Sequence, residues 1–437
     1  MKIILLLLDG LGDRAYVRFG NKTPLQAAAT PNLDRLAALG CNGLFHAGTF
    51  GQCFPSEMAH YLLFGYSPEA FPGRGLLEAV GEGMSFHEAD VIALAHLSQV
   101  KWEGGRPVLT RKRPAFPEEE LKELLSAVER GTHEGYGFLL QPTRGHDGLL
   151  RIRGGASSYI SDSDPMMCGQ PMARIWPLEN SPEPKEAERT AKALNAYLTY
   201  CHITLENHPI NRHRRGAGLE TANFLATQRC GKRIPQIPFE EMWGMQGLLI
   251  ASGAVYGGLA HELGMDFERV ADTSDPGKDL AERLRLALDD GHDFVHVHTK
   301  VPDEAAHTGD PKRKKEAFRM LDVGLGQLVD VLEAGRDDLV VAVTGDHSTP
   351  SITKLIHSGE PVPVTLVGRN VRRDDVHTYD EINAARGCLG SLRGRELMLM
   401  LLNYADRSAL LGHHLDGRNR YYVPKDYPPF RPVDESS

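Results

Sequence analysis

The side chains best suited to chemistry fall in four short islands of this 437-residue chain. The most telling is Thr344-Gly345-Asp346-His347-Ser348-Thr349-Pro350, followed by His357. The others are Asp9-Gly10 after an aliphatic run, Pro55-Ser56-Glu57, and Val301-Pro302-Asp303-Glu304-Ala305-Ala306-His307. Aspartates and histidines without cysteine suit borderline or hard divalent ions such as Mn²⁺ or Zn²⁺, with Co²⁺ and Mg²⁺ as alternatives, and argue against a thiolate site. Two such ions roughly 3.5–4 Å apart clamp a phosphoryl group and depress the pKa of a bound hydroxyl. Ser56 is the candidate nucleophile, because coordination can activate a serine without a neighbouring base. The candidate ligands are Asp9, Ser56, Asp303, His307, Asp346, His347 and His357. Glu57, His60, His296 and His298 are read as support for them.

Position strengthens the reading. Residues 3–8 and 339–343 are unbroken aliphatic runs that end in Asp9 and in Thr344-Gly345-Asp346-His347, as buried parallel strands would. Phe294-Val295-His296-Val297-His298 is a third strand leading into Lys300. Ligands collect beyond the carboxyl ends of strands in open α/β sheets, where these residues fall. A helix starting near Pro302 puts Asp303 and His307, spaced i, i+4, on one face, so that they could share an ion. Taken singly, Asp9-Gly10 is an ordinary turn and Asp346-His347 an ordinary hydrogen-bonded pair. Four such islands in strand-end contexts make coincidence a poor explanation.

Composition excludes other classes. With 41% apolar residues the chain can bury at least one large core, and its length implies two or three domains. A net charge of −9 argues against nucleic acid or an acidic membrane as the main partner, and leaves a small phosphorylated metabolite compatible. The apolar opening, Ile3 to Leu8, is too short for a signal or membrane segment. Six scattered cysteines without a C-x-x-C pair indicate reduced cytoplasmic thiols rather than a zinc knuckle or disulfide framework.

The islands occupy the two ends of the chain. Residues 1–84 and 236–437 are therefore expected to form one metal-binding α/β domain, with 85–235 inserted as an α+β domain. Thr30 to Gly40 reads as the first crossover helix, with a cap, Pro31 at its start and Gly40 at its end, joining two parallel strands. The insert reads as a helix over 118–130, strands at 137–140 and 148–152, and a long helix from Glu186 to Tyr200. Asn211-Arg212-His213-Arg214-Arg215 suits carboxylate or phosphate recognition, or is a solvated basic loop. Ser161-Asp162-Ser163-Asp164-Pro165 taken alone is a turn. The glycines at 73, 75, 81 and 83 lack the strand-turn-helix context of a nucleotide fingerprint. The tail from Tyr421 to Ser437 is rich in proline and aromatic residues.

At this point the chain resembles a known family. L-L-D-G-L-G-D, T-P-L-Q-A-A-A-T-P-N-L-D, P-S-E-M-A-H, G-R-G-L-L-E-A, S-D-S-D-P, H-P-I-N-R, D-E-A-A-H and G-D-H-S-T-P are similar, in this order and over nearly the whole chain, to the archaeal-type cofactor-independent phosphoglycerate mutases of the alkaline phosphatase superfamily. The resemblance implies an alkaline-phosphatase-like, mostly parallel sheet flanked by helices. It implies a metal-dependent, cytoplasmic glycolytic isomerase that interconverts 2- and 3-phosphoglycerate through a phosphoserine on Ser56, without 2,3-bisphosphoglycerate. Asp303, His307 and His357 would hold one ion, and Asp346, His347 and Asp9 the other. Lys300 would neutralise the transferred phosphate, and Arg212, Arg215, Asp162 and Asp164 would belong to the substrate-orienting insert. Two departures lie in that insert. The family's R-x-N-F-A-T strand is replaced by Ala95-His96-Leu97-Ser98-Gln99, and the arginine expected after Ala222-Asn223-Phe224-Leu225 falls, without a gap, on Gln228. The alternative is a related phosphatase or phosphotransferase, homoserine-kinase-like for example, acting on another small phosphate ester.

Overall fold

The aliphatic run at the start of the chain becomes the strand Lys2–Leu8, buried from Ile3 onward. It pairs in parallel with Phe294–Thr299 on one side and Leu339–Thr344 on the other. Strands buried on both faces need no polar alternation, which is why these sequences read as continuous apolar runs. A computed structural model describes residues 1–412 and 430, so the tail from Tyr421 lies, Phe430 apart, outside the described residues.

The chain divides into two compact units, residues 1–70, 236–253 and 260–437, and residues 71–235 with 254–259. In the first, an eight-stranded sheet runs in the order Asp266–Arg269, Gly247–Ala251, Phe294–Thr299, Lys2–Leu8, Leu339–Thr344, Val362–Gly368, Cys41–His46, Gly390–Arg393. Val362–Gly368 is antiparallel to both its neighbours; every other pairing is parallel. The helix Pro276–Asp289 packs on Phe294–Thr299, and Glu396–Tyr404 on Leu339–Thr344. Register fixes the consequence that matters. Leu8 is level with Thr299 and Leu7 with Thr344, so Asp9, Lys300 and Asp346 all emerge together past the carboxyl ends of three adjacent strands.

The crossover helix forms as Pro31–Leu39, with Pro31 at its start, but its ends differ from expectation. Thr30 makes no side-chain cap, and Gly40 is extended at φ −124°. The cap comes instead from Asp322, whose Oδ1 accepts from Leu33 N (2.8 Å) and whose Oδ2 accepts from Asn32 N (3.2 Å). A carboxylate from another helix, Pro311–Gly324, thus satisfies the amides that Thr30 would have capped.

The second unit carries an antiparallel sheet in the order Arg106–Arg111, Val91–Glu103, Asp147–Arg153, Tyr136–Pro142, Arg130–His133, with Phe224–Lys232 also paired to Val91–Glu103. Helices Glu118–Ala127 and Pro184–Asn207 cover its core, where Tyr197 stacks on Phe138 at 4.4 Å. Residues 71–84, assigned from sequence to the first domain, pack in this unit. The glycines of the helix Arg74–Gly81 explain it. A β-carbon on Gly75 would lie 2.2 Å from the Ile92 carbonyl oxygen, and one on Gly81 1.9 Å from that of Ala254, so both serve close backbone packing rather than nucleotide binding.

Candidate metal centre

Asp9 is completely buried. Its Oδ2 accepts from His298 Nε2 (3.1 Å), and its Oδ1 accepts from Ser56 Oγ (3.3 Å). Ser56 opens the helix Ser56–Leu63, and His60, one turn on, donates from Nδ1 to the Ser56 carbonyl (2.7 Å). Gly10 must be glycine: its φ is +67°, and a β-carbon there would meet Thr349 Oγ1 at 2.7 Å and Asp303 Cβ at 2.8 Å. Its N–H donates to Asp346 Oδ1 (3.0 Å), tying the first strand end to the third.

The histidine tautomers, assigned from the hydrogen-bond network, expose nitrogen lone pairs to the site. Thr349 Oγ1 donates its proton to Asp303 Oδ1 (2.8 Å) and therefore accepts from His347 Nδ1 (3.1 Å). His347 Nε2 is left bare. It faces Ser56 Oγ at 3.1 Å, Asp346 Oδ2 at 3.2 Å and Asp9 Oδ1 at 3.5 Å. His357 likewise spends Nδ1–H on the Phe54 carbonyl (2.7 Å) and turns a bare Nε2 toward Asp303 Oδ1 at 3.5 Å. His307 Nε2 lies 3.3 Å from the same oxygen. Asp346 Oδ2, although buried, accepts no hydrogen bond.

Lone pairs and carboxylate oxygens aimed at one another repel unless a cation lies between them, so this arrangement fits divalent metal ions. Protonation follows the same logic. Burial, then the charges of Asp9 and Asp303, push the Asp346 carboxyl far above the usual carboxylate range. Burial acts in the same direction on Asp9 and Asp303, yet Lys300 and His298 for the first, and His307 and Lys300 for the second, bring both below that range. Burial and the neighbouring His357 hold His347 down to about 3, so it is a neutral donor at neutral pH. Two donor groups have ligand spacing, Asp9 with Asp346 and His347, and Asp303 with His347 and His357. His347 belongs to both, its ring stacked on that of His357 at 3.8 Å. Lys300 Nζ reaches to 3.9 Å from Asp303 Oδ2.

The structure thus brings Asp9, Ser56, Lys300, Asp303, His307, Asp346, His347 and His357 together. Of the supporting residues, His298 and His60 bond to Asp9 and Ser56 as described. His296 is buried edge-on to Phe64 and His60, both at 5.2 Å, outside either donor group. Glu57 is buried in the first helical turn.

Three residues that support the site, Asp13, Lys314 and Thr349, escaped the sequence reading. Asp13 accepts from Tyr16 Oη (2.6 Å), Ser351 Oγ (2.6 Å) and Ser351 N (3.2 Å), joining the loop after the first strand to that after Leu339–Thr344. Lys314, fully buried, donates to the carbonyls of Gly12 (2.7 Å) and Thr349 (2.8 Å) and lies 3.5 Å from Asp13 Oδ2. Thr349 orients His347, and these two loops depend on all three residues. Only the T-P ending of the G-D-H-S-T-P motif hinted at Thr349.

In the second unit the expected substrate residues form separate groups. Arg212 donates to Asn207 Oδ1 (3.0 Å) and Arg215 to Glu206 Oε1 (2.6 Å), both on exposed surface of one helix. Arg215 also lines a cavity of about 700 Å³ with Gln99, Trp102, Arg111 and Asn223. Arg214 of the same motif is structural: it is buried over the Phe116 ring (3.7 Å) and paired to Glu120 at 2.8 Å. Asp162 and Asp164 make no hydrogen bond or ion pair with these arginines among the described residues. Asp164 pairs with Lys112 (3.1 Å) and approaches His96 (3.7 Å), whereas Asp162 Oδ1 accepts from Arg229 N (2.6 Å).

Arg229 directly follows Gln228, the position on which the ungapped reading put the family's arginine. Ile92 is level with Gly231 but Leu94 with Gln228, so Arg229 and Cys230 together oppose Ala93 in a β-bulge. Arg229 takes φ 55°; burial raises the Asp162 carboxyl above the usual range, and the amide and charge of Arg229 only partly offset it.

An open, mostly parallel α/β sheet with buried aspartates and histidines gathered past its strand ends defines a metalloenzyme. The metalloenzyme superfamily model matches residues 1–404. The 2,3-bisphosphoglycerate-independent phosphoglycerate mutase 2 of Methanocaldococcus jannaschii is 41% identical over 434 residues, 98% of each chain. The mutase of Methanopyrus kandleri is 36% identical over 94% of this chain and 98% of its own. Among solved structures, a Pyrococcus horikoshii protein matches at TM-score 0.74 with 28% identity, covering 94% of this chain and 99% of its own. The cofactor-independent phosphoglycerate mutase of Thermoplasma acidophilum matches at TM-score 0.58 with 30% identity, covering 93% and 100%. The chain therefore belongs to the metalloenzyme superfamily and, within it, to the 2,3-bisphosphoglycerate-independent phosphoglycerate mutases.

Proposed function

We propose that this protein interconverts 2-phosphoglycerate and 3-phosphoglycerate through a phosphoserine on Ser56. The observation that carries the reading is the Ser56 hydroxyl, 3.1 Å from the bare His347 Nε2 and 3.3 Å from Asp9 Oδ1, at the meeting point of two donor groups. Asp303, His307 and His357 would hold one divalent ion, and Asp9, Asp346 and His347 the other, with Ser56 among the candidate ligands. Mn²⁺ or Zn²⁺ suits these donors best, and Co²⁺ or Mg²⁺ can substitute. When bound, the ions supply charge for the phosphoryl oxygens and lower the pKa of the attacking hydroxyl.

The protein's own residues do the rest. Ser56 Oγ forms a bond to phosphorus in line with the departing glycerate oxygen, and the phosphorus–glycerate bond breaks. The proton that Ser56 Oγ gives up is balanced by the one that the departing glycerate oxygen takes on, so the transfer needs no net proton. Lys300 neutralises charge that develops on the phosphoryl group. Return of the phosphate to the other hydroxyl completes the exchange, so no 2,3-bisphosphoglycerate is required. Glycerate must stay bound meanwhile, a task for Arg212, Arg215, Asp162 and Asp164 in the inserted domain. The chain works in the cytoplasm on a small metabolite, independently of membrane or nucleic acid. No helix among the described residues is long and apolar enough to cross a membrane.

Metal-loaded protein incubated with 3-phosphoglycerate and, separately, with an aryl phosphate tests the reading. Isomer exchange with little free phosphate is expected. Phosphate release from both esters without exchange would identify a phosphatase instead.

A further inference from the structure

Two thiols from opposite ends of the sequence meet at the edge of the larger sheet. Cys41 opens the strand Cys41–His46, and Cys388 precedes the edge strand Gly390–Arg393, which pairs with it in parallel. Gly390 is level with Gly43, and Cys388 lies in the turn just before this edge strand, which brings it back beside Cys41. Their sulfurs are 3.0 Å apart although the residues are separated by 347 positions. Cys41 is 1% exposed, whereas Cys388 is open to solvent.

Asp374 braces the pair. Its Oδ2 accepts from Asn42 N (2.8 Å) and Cys388 N (3.0 Å), and its Oδ1 from Asn42 Nδ2 (2.8 Å) and Val376 N (3.1 Å). Leu389 N adds a bond to the Asn42 carbonyl (3.0 Å). Backbone on both sides of each thiol is thus fixed before any covalent bond forms. The two sulfurs and Asp374 also have the spacing of a cation site. Each Asp374 oxygen, however, already accepts two N–H bonds, so ligating a metal would forfeit the brace. Two sulfurs alone make a poor zinc site and a good dithiol.

We propose that Cys41 and Cys388 are a reversible disulfide site, closed by thiol–disulfide exchange with a small disulfide. The exposed Cys388 sulfur attacks the reagent, displacing one thiol and forming a mixed disulfide. Cys41 then attacks the Cys388 sulfur and displaces the second thiol. The protein loses two hydrogens, and the reagent is reduced to two thiols. Burial, the hydrogen bond to Cys388 and the charge of Asp374 push the Cys41 thiol up to about 12, which makes Cys388 the point of entry and the second step the slow one. Closure staples the edge strand Gly390–Arg393 to the sheet and restrains the unfolded chain over nearly its whole length.

The test treats full-length, metal-loaded protein with oxidised glutathione, blocks remaining thiols, and maps peptides by mass. A linked pair containing Cys41 and Cys388, lighter by two hydrogens, is expected, with loss of two of the six thiols and a melting temperature several degrees above that of the reduced protein. Cys41→Ser should instead trap glutathione on Cys388 and abolish the thermal shift. Cys388→Ser, at an exposed position, checks the shift independently of any folding defect in Cys41→Ser. Failure of the Cys41–Cys388 link to form, or zinc retained by the untreated protein and released when these two thiols are blocked, would overturn the proposal.

Discussion

The two compact units handle buried charge in opposite ways. In the larger one, Asp9, Asp303 and Asp346 converge at the ends of parallel strands, His347 and His357 turn bare nitrogens toward them, and Asp346 Oδ2 accepts no hydrogen bond. In the smaller one, charges are paired in place, Asp164 with Lys112 and Arg214 with Glu120, and Asp162 accepts from the Arg229 amide. A cluster of mutually repelling acceptors is expensive to keep folded and is retained where a cation completes it. Matched pairs need no such completion and are suited to holding a polar ligand in a fixed orientation. The first unit should therefore respond to metal removal and the second should not.

The largest effect expected is on activity. Exhaustive chelation should abolish isomer exchange, and Mn²⁺, Zn²⁺ or Co²⁺ should restore it. Full turnover by protein shown to be metal-free by elemental analysis would remove the distinction between the units. Next comes the geometry of the loops. Gly10→Ala forces a β-carbon into Thr349 and Asp303 at a left-handed φ, so metal content and melting temperature should both fall. Retention of two metals at wild-type stability would show that this approach is not tight.

Lys314→Met keeps much of the side-chain volume but leaves the Gly12 and Thr349 carbonyls and Asp13 without their ammonium. Removing one partner of a buried charged group costs roughly 3–5 kcal/mol, measurable by denaturant unfolding. A loss under about 1 kcal/mol would mean that water takes over these bonds. The smallest effect is expected in the second unit. Arg212→Ala with Arg215→Ala should raise KM for the phosphate ester about thirtyfold, the two lost charged contacts being worth about 1 kcal/mol each at an exposed site, and leave metal content unchanged. Metal loss in this variant would collapse the two regions into one.

How far the sequence carried differs between the regions for the same physical reasons. Asp9, Lys300 and Asp346 were legible because an apolar run that ends in a charge states both where the strand stops and what lies beyond it. The support around them was not. Lys314 and Asp13 belong to commonplace types whose meaning lies in contacts 302 and 338 residues distant along the chain, at Gly12 and Ser351. Asp322 took over the capping expected of Thr30 across 289 residues. In the insert, helix and strand periodicity located the elements, but Gln228 stood where an ungapped pattern wanted an arginine. One extra residue in a β-bulge leaves no periodic signal, and only pairing partners disclose that Arg229 occupies the place beside Asp162. The boundary at 71–84 failed similarly, since its glycines serve packing that no local pattern describes.

The most direct measurement asks whether Ser56 carries the phosphoryl group. Metal-loaded protein is mixed with 3-phosphoglycerate, quenched in acid during turnover and digested, and the phosphopeptides are sequenced by mass. Phosphate on Ser56 is expected, together with a loss of exchange by several orders of magnitude in Ser56→Ala at unchanged fold and with at least one metal retained. Isomer exchange at near wild-type rate by Ser56→Ala would contradict a covalent role for this serine and leave it a structural residue.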